Sequence, residues 1–178
     1  ARELLDAEDR ELRSVLGNLV FAIDDETMES EVLRFCEARG WSLGVAESLT
    51  GGLIGARLAN VPGASRTFRG SIASYATDVK HNLLGVTAEH LVGEDAAKQM
   101  AEGAQRVLGA DVAISATGVA GPDEMENQPV GTVFFGIAIP DVPAEAVSVR
   151  LPGDRERIRQ LATISALNLL RMRFLSLP

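Results

Sequence analysis

The stretch Val45-Ala46-Glu47-Ser48-Leu49-Thr50-Gly51-Gly52 constrains this chain more than any other. The apolar run Trp41-Ser42-Leu43-Gly44-Val45-Ala46 before it is short enough for a buried strand. After it, Leu53, Ile54 and Leu58 form the apolar stripe of a helix. The polar residues between are therefore a strand-to-helix turn. Adjacent glycines let backbone approach a ligand closely. A helix starting there has unpaired N–H groups facing the turn, a setting for an anion or a developing oxyanion. Ser48 at the mouth is a candidate nucleophile, with Glu47, Thr50, Gly51 and Gly52 as a substrate-binding lip. The same composition also suits a plain capped connector, so chemistry needs partners elsewhere in the chain.

Two further stretches supply them. Ser71-Ile72-Ala73-Ser74-Tyr75 alternates like a strand, and Thr77-Asp78 opens a short helix carrying Lys80. Asp111 to Ala116 is apolar enough for a strand and runs into the turn Thr117-Gly118-Val119-Ala120-Gly121-Pro122. In an α/β protein, ligands bind beyond the carboxyl ends of strands. Glu47-Ser48, Tyr75 and Thr117-Gly118 all fall at such ends. A serine hydroxyl needs a base, and neither His81 nor His90 is well placed. A lysine serves if burial or a neighbouring cation, here Arg69, lowers its pKa. Lys80 is that candidate, with the hydroxyl of Tyr75 holding its amine or passing a proton.

The remaining elements follow from periodicity. Residues 1–14 are charged, with Leu5, Leu12 and Val15 at roughly helical spacing. Leu19-Val20-Phe21-Ala22-Ile23 reads as a short strand, set apart from the rest. Helices are expected after Thr27 to about Gly40, over 94–108, and from Arg155 onward. A strand hairpin is expected from Val130 to Leu151. Helices interleaved with apolar strands give an α/β class, three-layer α/β/α, with a mixed central sheet.

Composition removes several function classes. A net charge of −8 argues against a broad nucleic-acid surface. Cys36 is the single cysteine, so no internal disulfide forms, and a reduced, cytoplasmic setting fits. No apolar run reaches membrane-spanning length. Two histidines and one cysteine make no metal-ligand pattern, so neither metal nor cofactor is expected.

These motifs are similar to those of the CinA C-terminal domain family. The resemblance is carried by residues 45–52, Val61-Pro62-Gly63-Ala64-Ser65, Phe68-Arg69-Gly70, Tyr75 with Val79-Lys80, and Leu84-Gly85-Val86. It continues through Thr117-Gly118-Val119-Ala120-Gly121-Pro122, Pro129-Val130-Gly131-Thr132-Val133 and Gly153-Asp154-Arg155-Glu156. The match is collinear from about Thr27 to Leu170. It implies nicotinamide-nucleotide amidase activity: nicotinamide mononucleotide and water give nicotinate mononucleotide and ammonia, without cofactor or metal, in pyridine nucleotide salvage. The family nucleophile falls on Ser48, the general base on Lys80 and the assisting tyrosine on Tyr75. Arg155 matches the family arginine and is expected to meet the substrate phosphate.

The chain departs from the family at Leu49, often cysteine, at Gly93, usually a capping serine, and in the loop 123–128, usually richer in glycine. The family occurs alone or after another domain. Residues 16–27 are similar to that junction, and the first residue is not methionine. Residues 1–26 are thus expected to be an extension or junction, and 27–178 the amidase domain. The expected partner is a small nucleotide, with homo-oligomerisation open and neither nucleic acid nor membrane involved. The competing function is a nucleotide-binding or regulatory module without turnover.

Overall fold

The computed structural model describes residues 2–177. The helices are α1 (Arg2–Leu16), α2 (Met28–Arg39), α3 (Leu53–Ala59), α4 (Thr77–Asn82), α5 (Glu94–Leu108) and α6 (Arg155–Leu175). The strands are β1 (Leu43–Glu47), β2 (Phe68–Ala73), β3 (Val112–Gly118), β4 (Thr132–Ala138) and β5 (Glu145–Arg150). They form one mixed sheet in the order β2-β1-β3-β4-β5. β1 runs parallel to β2 and β3, and β4 and β5 complete the sheet antiparallel. The fold is the expected α/β architecture.

Side chains alternate across a strand, and β1 shows what that does here. Leu43 and Val45 enter a core shared with Val32 and Cys36 of α2, Ile54 and Leu58 of α3, and Leu167 and Phe174 of α6. Ala46 faces the other way, into a smaller core with Met100, Ala101 and Ala104 of α5. Helices therefore cover both faces, which makes the three layers. α5 approaches closely because its inner face is short. Ala97 O accepts from Ser115 Oγ at 2.6 Å, and Ser115 Oγ accepts from Gly136 N at 3.1 Å. A Cβ on Gly136 would lie 2.0 Å from Ala97 O, so that sheet position requires glycine.

The register places the site. Glu47 pairs with Ala73 on one side and Ala116 on the other, so β1 and β2 end together and β3 runs two residues further, to Gly118. β2 and β3 follow β1 in sequence but flank it on opposite sides. The crevice beyond β1 and β3 is thus a topological switch point, where α/β sheets bind ligands.

α2 begins at a capping box: Thr27 Oγ1 accepts from Ser30 N at 3.2 Å and Ser30 Oγ accepts from Thr27 N at 2.8 Å. It ends at Gly40 with φ of 66°. One expectation is corrected. Residues 19–23 are not a strand: a 3-10 turn spans Gly17–Leu19 and irregular chain follows. The hydrogen bonds of this segment close locally, Val20 N to Gly17 O at 3.2 Å and Ile23 N to Glu26 Oε2 at 3.0 Å. Arg171 of α6 donates to Asn18 O at 2.6 Å. With its backbone occupied this way, the run joins no sheet edge.

Cys36 is fully buried, and burial pushes its thiol up to about 12. We predict that Ellman's reagent reacts with it about a thousandfold more slowly in the native state than in guanidinium, following the lost thiolate. Equal rates in both conditions would contradict this packing. Among the described residues no helix is long and apolar enough to cross a membrane.

Candidate active site

The nucleophile turn is built around a buried carboxylate. Glu47, the last residue of β1, has no exposed surface. Its Oε2 accepts from Gly52 N at 2.9 Å and Ile54 N at 3.1 Å. Its Oε1 accepts from Gly55 N at 2.8 Å and Ser71 Oγ at 2.6 Å. The first N–H groups of α3 are therefore taken by the protein's own anion. Gly51 and Gly52, at φ of 61° and 101°, let the chain double back over that carboxylate. This corrects the expected lip: Glu47 is a helix cap rather than a substrate ligand. Gly51 N donates to Ser48 O at 3.1 Å, and neither glycine lines the cleft. The Thr50 side chain is buried, its Oγ1 has no partner among the described residues, and it contributes nothing to the cleft wall.

Ser48 stands where expected. Its N–H donates to Ala116 O at 2.9 Å, which extends the β1–β3 pairing by one residue and holds Ser48 at the switch-point crevice. There a cleft of about 200 Å³ is lined by Ser48, Tyr75, Lys80, Thr117, Gly118 and Arg155, together with the loop residues Asp123 and Glu126. One concavity thus collects six of the ten residues expected from sequence.

Lys80, on α4, is only 5% exposed. Its Nζ reaches Tyr75 O at 3.5 Å, the limit of a hydrogen bond. Burial holds its pKa below the ordinary lysine range, while the carboxylate of Glu126 pulls the other way. An amine kept from water without a close anion is easier to hold neutral. The depression comes from desolvation rather than from Arg69, whose Nε donates to Leu108 O at 3.1 Å.

Tyr75 differs from expectation in its partner. It is 58% exposed, and its hydroxyl accepts from Arg155 Nη2 at 2.5 Å. Arg155 Nη1 also donates to Gly121 O at 2.7 Å. Lys80 is met by the carbonyl of Tyr75, and the phenol belongs to the arginine. Thr117 Oγ1 donates to Leu91 O at 2.7 Å and so ties the α4–α5 connection to the end of β3.

Neither histidine lines the cleft. His81 Nδ1 bonds Val86 O at 2.6 Å. Among the described residues no group of three His, Cys, Asp or Glu side chains could hold a metal. Sequence reasoning missed Glu126, whose Oε2 accepts from Val92 N at 2.8 Å. Its one signal was an acidic residue in the polar loop after the second glycine turn. It also missed Arg159, whose Nε and Nη2 donate to Leu49 O and Thr50 O, each at 2.9 Å.

Residues 25–174 match the family model described as the CinA C-terminal domain. A CinA-like protein of Frankia casuarinae is 48% identical over 171 residues, covering 93% of this chain and 39% of that protein. A CinA-like protein of Dictyoglomus turgidum is 39% identical over 183 residues, covering 99% of this chain and 44% of that protein. The chain spans about two fifths of the length of these curated relatives. A crystal structure of a competence-damaged protein (CinA) superfamily protein from Klebsiella pneumoniae superposes with a TM-score of 0.79 at 31% identity. It covers 84% of this chain and 97% of that one.

Proposed function

The chain belongs to the CinA C-terminal domain family, and on that footing we propose that its cleft hydrolyses the carboxamide of nicotinamide mononucleotide. The products are nicotinate mononucleotide and ammonia. The observation that carries this reading is a lysine, buried and depressed in pKa, lining the same cleft as a strand-end serine.

The neutral Lys80 amine takes the Ser48 proton as Oγ bonds to the carboxamide carbon, and the carbonyl electron pair moves onto oxygen. The tetrahedral adduct collapses, the C–N bond breaks, and Lys80 returns the proton to the departing ammonia. Water then attacks the acyl-serine with Lys80 again as base. The carboxylate leaves and Ser48 regains its proton. Arg155 and the exposed Tyr75 stand at the cleft rim as the site for the nucleotide phosphate, with the guanidinium as its donor.

The test is ammonia release from nicotinamide mononucleotide. Ser48→Ala should lose turnover by at least about 10³-fold. Arg155→Ala should chiefly raise KM. If the wild type binds the nucleotide, shown by calorimetry, yet releases no ammonia, the cleft is a binding module. Full activity in Ser48→Ala would remove the serine from the mechanism.

A further inference from the structure

Arg159 is half-buried on α6, one turn beyond Arg155. Its fork holds two successive carbonyls directly after the nucleophile, Leu49 O and Thr50 O, each at 2.9 Å. A trans peptide sets the carbonyl of one residue against the N–H of the next, pointing the opposite way. Drawing Leu49 O towards α6 therefore turns the Thr50 N–H away from α6. Drawing Thr50 O the same way turns the Gly51 N–H, which donates to Ser48 O at 3.1 Å.

Two N–H groups then stand out. Those of Leu49 and Thr50 have no hydrogen-bond partner among the described residues, although both residues are buried. Leu49 lines the cleft beside Ser48. Buried backbone donors without partners are rare in folded proteins. Their neighbours along the turn are all engaged: Ser48 N with Ala116 O, and Gly52, Ile54 and Gly55 with Glu47.

We propose that Arg159 is the positioning residue of an oxyanion hole formed by the Leu49 and Thr50 N–H groups. Its fork sets the plane that carries the Thr50 N–H, and the next plane, whose Gly51 N–H holds Ser48 O and with it the plane of the Leu49 N–H. The two carbonyl oxygens it holds, which would repel an oxyanion, stay turned to α6. The inference rests on Ser48 being the nucleophile of the amidase reading. Arg159 touches no substrate. It acts by fixing donors before charge develops, which is where electrostatic catalysis has its effect.

The experiment compares Arg159→Gln and Arg159→Lys with the wild type in two measurements. The first is the rate at which a fluorophosphonate modifies Ser48, followed by intact mass. The transition state of this phosphonylation, in which fluoride leaves, also builds negative charge on an oxygen but needs no nucleotide. The second is turnover of the carboxamide nucleotide and of its thioamide analogue, whose larger sulfur fits an oxygen-sized hole poorly. Arg159→Gln should slow labelling and kcat by about 10²-fold with KM unmoved. Its preference for oxygen over sulfur should narrow. Arg159→Lys keeps the charge but not the fork, and should fall between. It carries the comparison if thermal melting shows that Arg159→Gln does not fold.

Labelling within twofold of the wild type in both variants overturns the proposal, as does a loss confined to KM or an unchanged oxygen-to-sulfur ratio. If Ser48 labels and Arg159→Gln slows it, yet no ammonia is released from any nucleotide, the amidase reading falls and the positioning role stands. A wild-type Ser48 that never labels removes both.

Discussion

Lys80→Ala is expected to lower kcat for nucleotide amide hydrolysis by about 10³-fold while the nucleotide still binds, because a positioned base contributes about 10²–10⁴. Lys80→Arg should fail nearly as completely, since a guanidinium stays charged and cannot accept the Ser48 proton. In the wild type the active form is the neutral amine. The rate should therefore rise with pH and level off above the Lys80 pKa, which burial holds below the ordinary lysine value. Near-normal turnover in Lys80→Arg would make Lys80 an electrostatic anchor and send the search for the base elsewhere.

The same depression has a stability signature. Between its folded and unfolded pKa values, Lys80 is protonated in the unfolded chain and neutral in the folded one. Stability therefore rises with pH across that window, and the penalty is full below the folded pKa. Lys80→Met should be more stable than the wild type at pH 6, and the gap should close as pH approaches about 10.4. Urea denaturation at both ends reads this. A gap that does not change with pH would mean that Lys80 is not desolvated as the cleft geometry requires.

The second large effect is expected at Glu47. Glu47→Ala should cost about 3–5 kcal/mol, the range for breaking a buried charged network by removing one partner. Three backbone N–H groups and the Ser71 hydroxyl lose their acceptor together. Glu47→Gln keeps the length but offers one acceptor oxygen and turns an NH₂ towards donors, so it should recover only part of that. Native domains are stable by about 5–15 kcal/mol, so Glu47→Ala should sit near the edge of folding. Its kcat should fall as well, because the turn that carries Ser48 is folded over this carboxylate. A denaturation midpoint within experimental error of the wild type would show that water replaces the carboxylate at no cost.

Much of the fold was legible in sequence because its elements carry strong local signals. The boundaries of α5 at Glu94–Leu108 came from helical periodicity and the small residues at Ala97, Ala101 and Ala104. The β4–β5 hairpin came from two β-rich runs. The run 19–23 misled because its apolar content matches a strand, while strand formation depends on a neighbouring edge that composition cannot report. Lys80 was readable as a base candidate from its place five residues after Tyr75, yet its burial was not, since lysines on helices are usually solvated.

By itself, then, the sequence determined the alternation of helices and strands, the two glycine-bearing turns at strand ends, and the candidates Ser48, Lys80 and Tyr75. Those are local properties, written in spacing and chemistry, whereas Arg155 came from the family resemblance. Only the tertiary structure decided which turn donors were free. Glu47 looked like a ligand at the lip, but β1 carries it beneath α3, where three backbone N–H groups and the Ser71 hydroxyl occupy its oxygens. Arg159 looked like one more helical arginine, but the packing of α6 beside the turn brings its fork onto Leu49 and Thr50, some 110 residues away in sequence. A hydrogen bond depends on distance and direction in space, and at that separation only the sheet order and helix packing set either.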